Sequence, residues 1–228
     1  FELAAGLGYE CSDGKEIEID TEEINVGSVK RVNGLNLGLC DSDVSVASSR
    51  WITYLIVDAK QFVLNGTNSP QNIEVSDSIY SVRFSDVTEN KVSMSVGGTS
   101  GEVEINECYE VGNLAVMFVE LQQEGENKSV KILAGKTKVR FDSKEKISEI
   151  FESNSKKYLV AVETASDADA VVSVGKCDSN EFVEIVESVI ADENSTNETI
   201  LQNYTNSTEI EVNLTGADFK IIELCNEI

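Results

Sequence analysis

Short apolar runs and strict alternation of apolar with polar residues fill this chain, separated by clusters of Gly, Asn, Ser and Asp. Successive side chains of a strand point to opposite faces, so a period of two between turn residues predicts β-structure throughout. The clearest segments are Ser28–Val32, Leu35–Leu39, Trp51–Ala59, Ile79–Phe84, Val92–Val96, Leu114–Leu121, Val130–Ala134, Tyr158–Glu163 and Ala170–Val174. Further strands are expected at Glu16–Ile19, Phe62–Leu64, Glu102–Ile105, Lys138–Phe141, Phe182–Val189, Glu209–Asn213 and Phe219–Leu224. Asn33-Gly34 between apolar runs is a type I′ hairpin signal, because both central residues must reach positive φ. Gly97-Gly98 predicts a second tight turn. One helix is expected at Ser143–Ser153, with Asp142 as cap, Glu145 at the third position, and Ile147, Ile150 and Phe151 along one face.

An internal repeat adds to this pattern. Val26–Leu39 followed by Trp51–Thr67 reads like Ile105–Leu121 followed by Ser129–Ser143. In both, a strand, a Gly turn, a strand, a polar loop and a strand lead to Ala, Lys and a final strand. Asn33-Gly34-Leu35 answers Gly112-Asn113-Leu114. Repeated β units of this size predict an all-β chain of tandem β-sandwich (Ig-like) modules with one short helix. The expected boundaries are 1–68, 69–142 and 143–228.

Composition narrows the function. Of 228 residues, 41 are acidic and 18 basic, a net charge of −23. That charge opposes binding to nucleic acid and to anionic membrane surfaces, which require clustered Lys and Arg. The chain has no histidine, which removes Ser-His-Asp and Cys-His catalysis, His-ligated zinc and the usual general base near neutral pH. The longest apolar run, Leu114–Val119, is far shorter than the ~20 residues of a membrane helix. The opening residues contain neither a charged leader nor the long apolar helix of type IV pilins, which fits a processed, mature chain.

The five cysteines, Cys11, Cys40, Cys108, Cys177 and Cys225, form no C-x-x-C pair. A tetrathiolate metal site is therefore not expected, and structural disulfides are. Pairing neighbours gives Cys11 with Cys40 and Cys177 with Cys225, leaving Cys108 as a buried thiol or an intersubunit bridge.

Seven Asn-x-Ser/Thr triplets carry the strongest localisation signal. They begin at Asn65, Asn127, Asn194, Asn197, Asn203, Asn206 and Asn213, and the last five crowd into residues 194–215. None has Pro in the middle, so all are acceptors for N-linked glycans, which mark the surfaces of secreted proteins.

The stretch DSIYSVRFSDVTENKVSMSVGGTSGEVEINECYEVGNLAVMFVEL, within residues 14–142, resembles the β-rich modules of archaeal surface-layer and other cell-surface glycoproteins. The resemblance implies a secreted, self-assembling structural glycoprotein rather than an enzyme.

Other chemistry is less specific. Asp41-Ser42-Asp43 and Asp167-Ala168-Asp169 are D-x-D pairs that could share a calcium ion. Neither begins an EF-hand, since Val46 and Ile52 stand where that loop needs Gly and Glu. Ser143/Lys146 and Ser153/Lys156 have the Ser-x-x-Lys spacing but no companion motif. Trp51, Tyr54 and Phe62 could form a sugar platform, although the strand at 51–59 is apolar on both faces and so reads as core. The termini, FELAAGLGYE and GADFKIIELCNEI, have strand character and could add to a neighbour's sheet edge, the N-terminus first. Together these readings predict a glycosylated extracellular subunit of a homo-polymer, filament or surface layer. A glycan-binding adhesin is the alternative, and a carboxylate-based hydrolase a third reading.

Overall fold

Hairpin turns and alternating strands account for all the regular structure in the computed structural model, which describes residues 8–125, 127–188 and 200–203. Asn33 and Gly34 take φ of 47° and 94°, and Gly97 and Gly98 of 56° and 93°, as type I′ turns require. The strands are β1 (Tyr9–Cys11), β2 (Glu18–Asn25), β3 (Val29–Val32), β4 (Leu35–Ser45), β5 (Arg50–Val57), β6 (Lys60–Asn65), β7 (Gln71–Val75), β8 (Ser78–Val87), β9 (Lys91–Val96) and β10 (Thr99–Glu104). They continue as β11 (Cys108–Val111), β12 (Leu114–Glu124), β13 (Asn127–Gly135), β14 (Thr137–Asp142), β15 (Ser148–Ser153), β16 (Lys156–Ala165), β17 (Asp169–Lys176), β18 (Phe182–Ser188) and β19 (Ile200–Asn203).

Four four-stranded sheets have the orders β14-β5-β4-β3, β15-β16-β17-β2, β11-β12-β13-β6 and β10-β9-β8-β7. All their strand pairs are antiparallel. A smaller sheet of order β1-β18-β19 stands beside them.

Alternation decides how the sheets pair. Leu35, Leu37 and Leu39 of β4 meet Tyr158, Val160 and Val162 of β16 in one core, which joins the first two sheets into a host sandwich. Phe84, Met94, Leu114, Phe118 and Ile132 belong to a second core, which joins the other two into an inserted sandwich running from β6 to β13. The strands that read as apolar on both faces lie where the sandwiches meet. Ile56 and Ala59 beyond the host core pack with Ala115, Met117 and Leu133 beyond the inserted core, together with buried Cys40. The layers come very close at Gly135, where an added Cβ would lie 2.1 Å from Ile56 Cγ2 and 2.6 Å from the Val57 carbonyl oxygen.

The two sandwiches are circular permutations of one pattern. Parallel bridges join Val26 to Leu39 and Ile105 to Phe118. Bulges interrupt β4 between Leu39 and Asp41 and β12 between Phe118 and Glu120. A second matching pair lies in β8 between Phe84 and Val87 and in β16 between Val162 and Thr164. Thus β10–β13 correspond to β2–β5, and β6–β9 to β14–β17. The turn at Gly97-Gly98 that joins β9 to β10 has its counterpart between β17 and β2, where the host sandwich is open.

Three sequence expectations change here. The modules 1–68, 69–142 and 143–228 cut across both cores, because β6 closes the sheet of β11–β13 while β14 closes that of β3–β5. Residues Ser143–Ser153 form a turn and β15 instead of a helix. The cap oxygens of Asp142 accept from Arg50 and Arg140, and pairing with β16 places Phe151 against Tyr158. Finally, Cys11 bonds Cys177 and Cys40 bonds Cys108, with Cα atoms 5.5 and 5.4 Å apart. Neighbour pairing fails because the open end of the host sandwich brings Cys11 to Cys177, while the contact between sandwiches brings Cys40 to Cys108. Cys225 lies outside the described residues.

Candidate functional site

Asn65 and Asn127 come together at one end of the inserted sandwich. Asn65 is the last residue of β6 and stands opposite Ser129 of β13, two residues along from Asn127. Leu64 and Val130 point into the core, so Asn65, Ser129 and Asn127 share the opposite face. Both asparagines are exposed. The Gln71 side chain accepts from the Asn65 backbone N–H at 3.1 Å and donates to its carbonyl at 2.9 Å, fixing the strand end. Neither asparagine side chain makes a hydrogen bond to another described residue, which leaves both amides open to modification. Asn203 ends β19, opposite Ile185. Asn194, Asn197, Asn206 and Asn213 lie outside the described residues.

The Cys40–Cys108 bond pins β4 of the host sandwich to β11 of the inserted one. Lys138 Nζ donates to the Cys108 carbonyl at 3.1 Å and lies 5.2 Å from the centre of the Tyr54 ring. Partial burial raises the Asp41 carboxyl above the ordinary range, and neighbouring Glu107 and Asp43 add to the rise. Tyr109 donates to Glu107 at 2.7 Å, and that bond pushes its hydroxyl up to about 12.

The two D-x-D pairs meet without converging. Asp167 accepts from the Val44 N–H at 3.1 Å, beside Asp43, while Asp169 accepts from the Ser166 hydroxyl at 2.8 Å. Among the described residues, no group of three or more acidic, Cys or His side chains is arranged to hold a metal ion. Trp51, Tyr54 and Phe62 disperse, each packing against a different one of the three apolar clusters.

No family model, curated protein or solved structure matches the chain. No helix among the described residues is long and apolar enough to cross a membrane. Two disulfides belong to an oxidising compartment.

Two clusters escaped the sequence reading. The carboxylate of Asp142 is fully covered, although it sits near the surface, and the covering groups are the guanidinium ends of Arg50 and Arg140. Glu145 completes the cluster at 2.8 Å from Arg50 and 3.1 Å from Arg140. The other is a cationic cleft on the host sandwich, lined by residues from four separate strands and one turn. Within the sequence repeat the one signal for it is Arg31, whose matching position holds Glu110, because Lys156 and Lys176 lie outside the repeated segments.

Proposed function

We propose that this chain is a secreted, glycosylated structural subunit that self-assembles into an extracellular homo-polymer, a filament or a surface layer, with no catalytic role. The observation that carries the reading is the exposed pair of acceptor asparagines, Asn65 and Asn127, on neighbouring strands of a disulfide-fastened double sandwich. Two glycans at that end would shield one face and direct subunit contacts elsewhere. The rigid, histidine-free β scaffold and the five further sequons in residues 194–215 support the same reading.

Assembly would proceed by strand addition at sheet edges. The N-terminal strand is a weaker donor than the sequence implied, because its described part, β1, already pairs with β18 of the same chain. The sheet edges supply the acceptors, β7 and β15 among them, each pairing on one side only among the described residues. Negative-stain microscopy of native material tests the proposal: ordered fibres or sheets are expected. Monodisperse monomers in native salt with calcium would count against it.

A further inference from the structure

The cationic cleft lies where the Asn33-Gly34 turn faces the start of β16 and is an open depression of about 480 Å³. Arg31, Lys156 and Lys176 bring three cations to it, on a chain whose net charge is −23. Lys176 is paired with Glu18 at 3.0 Å. Arg31 and Lys156 form no ion pair among the described residues. Tyr158 reaches the cleft from the core, only 7% exposed, and its hydroxyl has no protein partner among the described residues. No unpartnered side-chain oxygen or nitrogen is buried among the described residues, so this hydroxyl opens into the cleft, where a ligand oxygen can meet it.

The fold does not demand these cations. At the matching positions of the inserted sandwich, Arg31 is answered by Glu110, Lys156 by Ser78, Lys176 by Gly98 and Asp20 by Thr99. Only the tyrosine is kept, as Tyr80. One pattern thus folds with and without the charges, so their convergence has another cause.

Asp20 defines the ligand. It lines the same cleft and already accepts the Asn33 backbone N–H at 3.2 Å, while the Asn33 amide donates to the carbonyls of Glu18 and Val174 at 2.8 and 3.0 Å. The turn is therefore held firmly, and Asp20 keeps its remaining lone pairs for a donor. A carboxylate beside three cations disfavours a small dianion, yet suits a ligand that brings hydroxyl donors together with one negative charge. We propose that the cleft binds a sugar acid, a polyhydroxylated ring bearing one carboxylate. Arg31 and Lys156 hold the carboxylate, while Asp20 and Tyr158 meet the hydroxyls. The site does not depend on self-assembly and can be examined on the unassembled chain.

Amide chemical shifts of the full chain, followed at Asn33 and Gly34 in low salt, provide the test. Glucuronate should give saturable shifts with a dissociation constant on the order of 1 mM, while glucose gives none at the same concentration. Binding should weaken about tenfold in Arg31→Glu and in Lys156→Ser, roughly the loss of one charge-assisted contact. Both variants install the residue found in the other sandwich, and unchanged thermal unfolding would confirm that they fold. If either unfolds, Arg31→Gln and Lys156→Gln replace it, with the same expected loss. Absence of saturable shifts with glucuronate, equal affinity for inorganic sulfate, or undiminished binding in the variants would each overturn the assignment.

Discussion

Asp142 shows how one residue can carry two readings. In sequence it precedes Glu145 by three and is followed by apolar residues at helical spacing, so it looks like a cap. In the fold its carboxylate takes hydrogen bonds from Arg50 and Arg140, residues that no local pattern connects. The bond from Arg50, joined by the Lys144 N–H and the charge of both arginines, holds its carboxyl down at about 2. An unfolded aspartate takes up its proton near ~3.9. The ionised form therefore contributes its full stabilisation above about pH 4, and that contribution disappears as pH falls toward 2. Guanidinium unfolding of the wild type should accordingly lose stability more steeply than Asp142→Asn between about pH 4 and 2. Parallel profiles would show that the cluster contributes nothing. Trp51, Tyr54 and Phe62 teach a related lesson: nearness in sequence does not decide which core receives an aromatic ring.

At the scale of elements, strands buried on both faces were the most legible. Trp51–Ala59 and Leu114–Leu121 are mostly apolar on both faces because one face enters a sandwich core while the other meets the second sandwich. Polar edge strands were less so. The pattern predicts β2 only at Glu16–Ile19, since half of its positions are charged and Ile24 is its one fully buried anchor. β15 looks helical in sequence because Ile147, Ile150 and Phe151 satisfy a helical spacing, and only the ladder with β16 decides otherwise. Disulfide partners were not legible at all, since they depend on how whole sheets stack. The bond between Cys40 and Cys108 spans 68 residues and joins two separately packed cores. Replacing both with alanine should cost about 2–4 kcal/mol, the usual range for a loop of this order. Urea unfolding should show a lower midpoint while far-ultraviolet circular dichroism of the native state stays unchanged. A midpoint equal to the wild type would mean that the apolar contact alone holds the sandwiches together.

At the scale of the whole molecule, the repeat was visible in the sequence but its architecture was not. Matching β3–β6 with β11–β14 leaves open whether a fourth strand returns to its own sheet or crosses to the other. It crosses, so the inserted sandwich is continuous in sequence and the host is split around it. A fragment of residues 60–135 carries all the strands of one core and should fold into β-structure on its own, as circular dichroism can establish. The fragment 69–142 lacks β6 and should not; equal folding of both would contradict the exchange of edge strands. Cys11 and Cys177, 166 residues apart, close the mouth of the host sandwich. Tension pulling on the segments before Cys11 and after Cys177 crosses that single covalent bond and bypasses the ladders of both sandwiches. In a stretched polymer the subunit would transmit force without lengthening. Reduction of both disulfides under load should release the hidden chain as an extension of about 55 nm, close to the contour length of the enclosed residues.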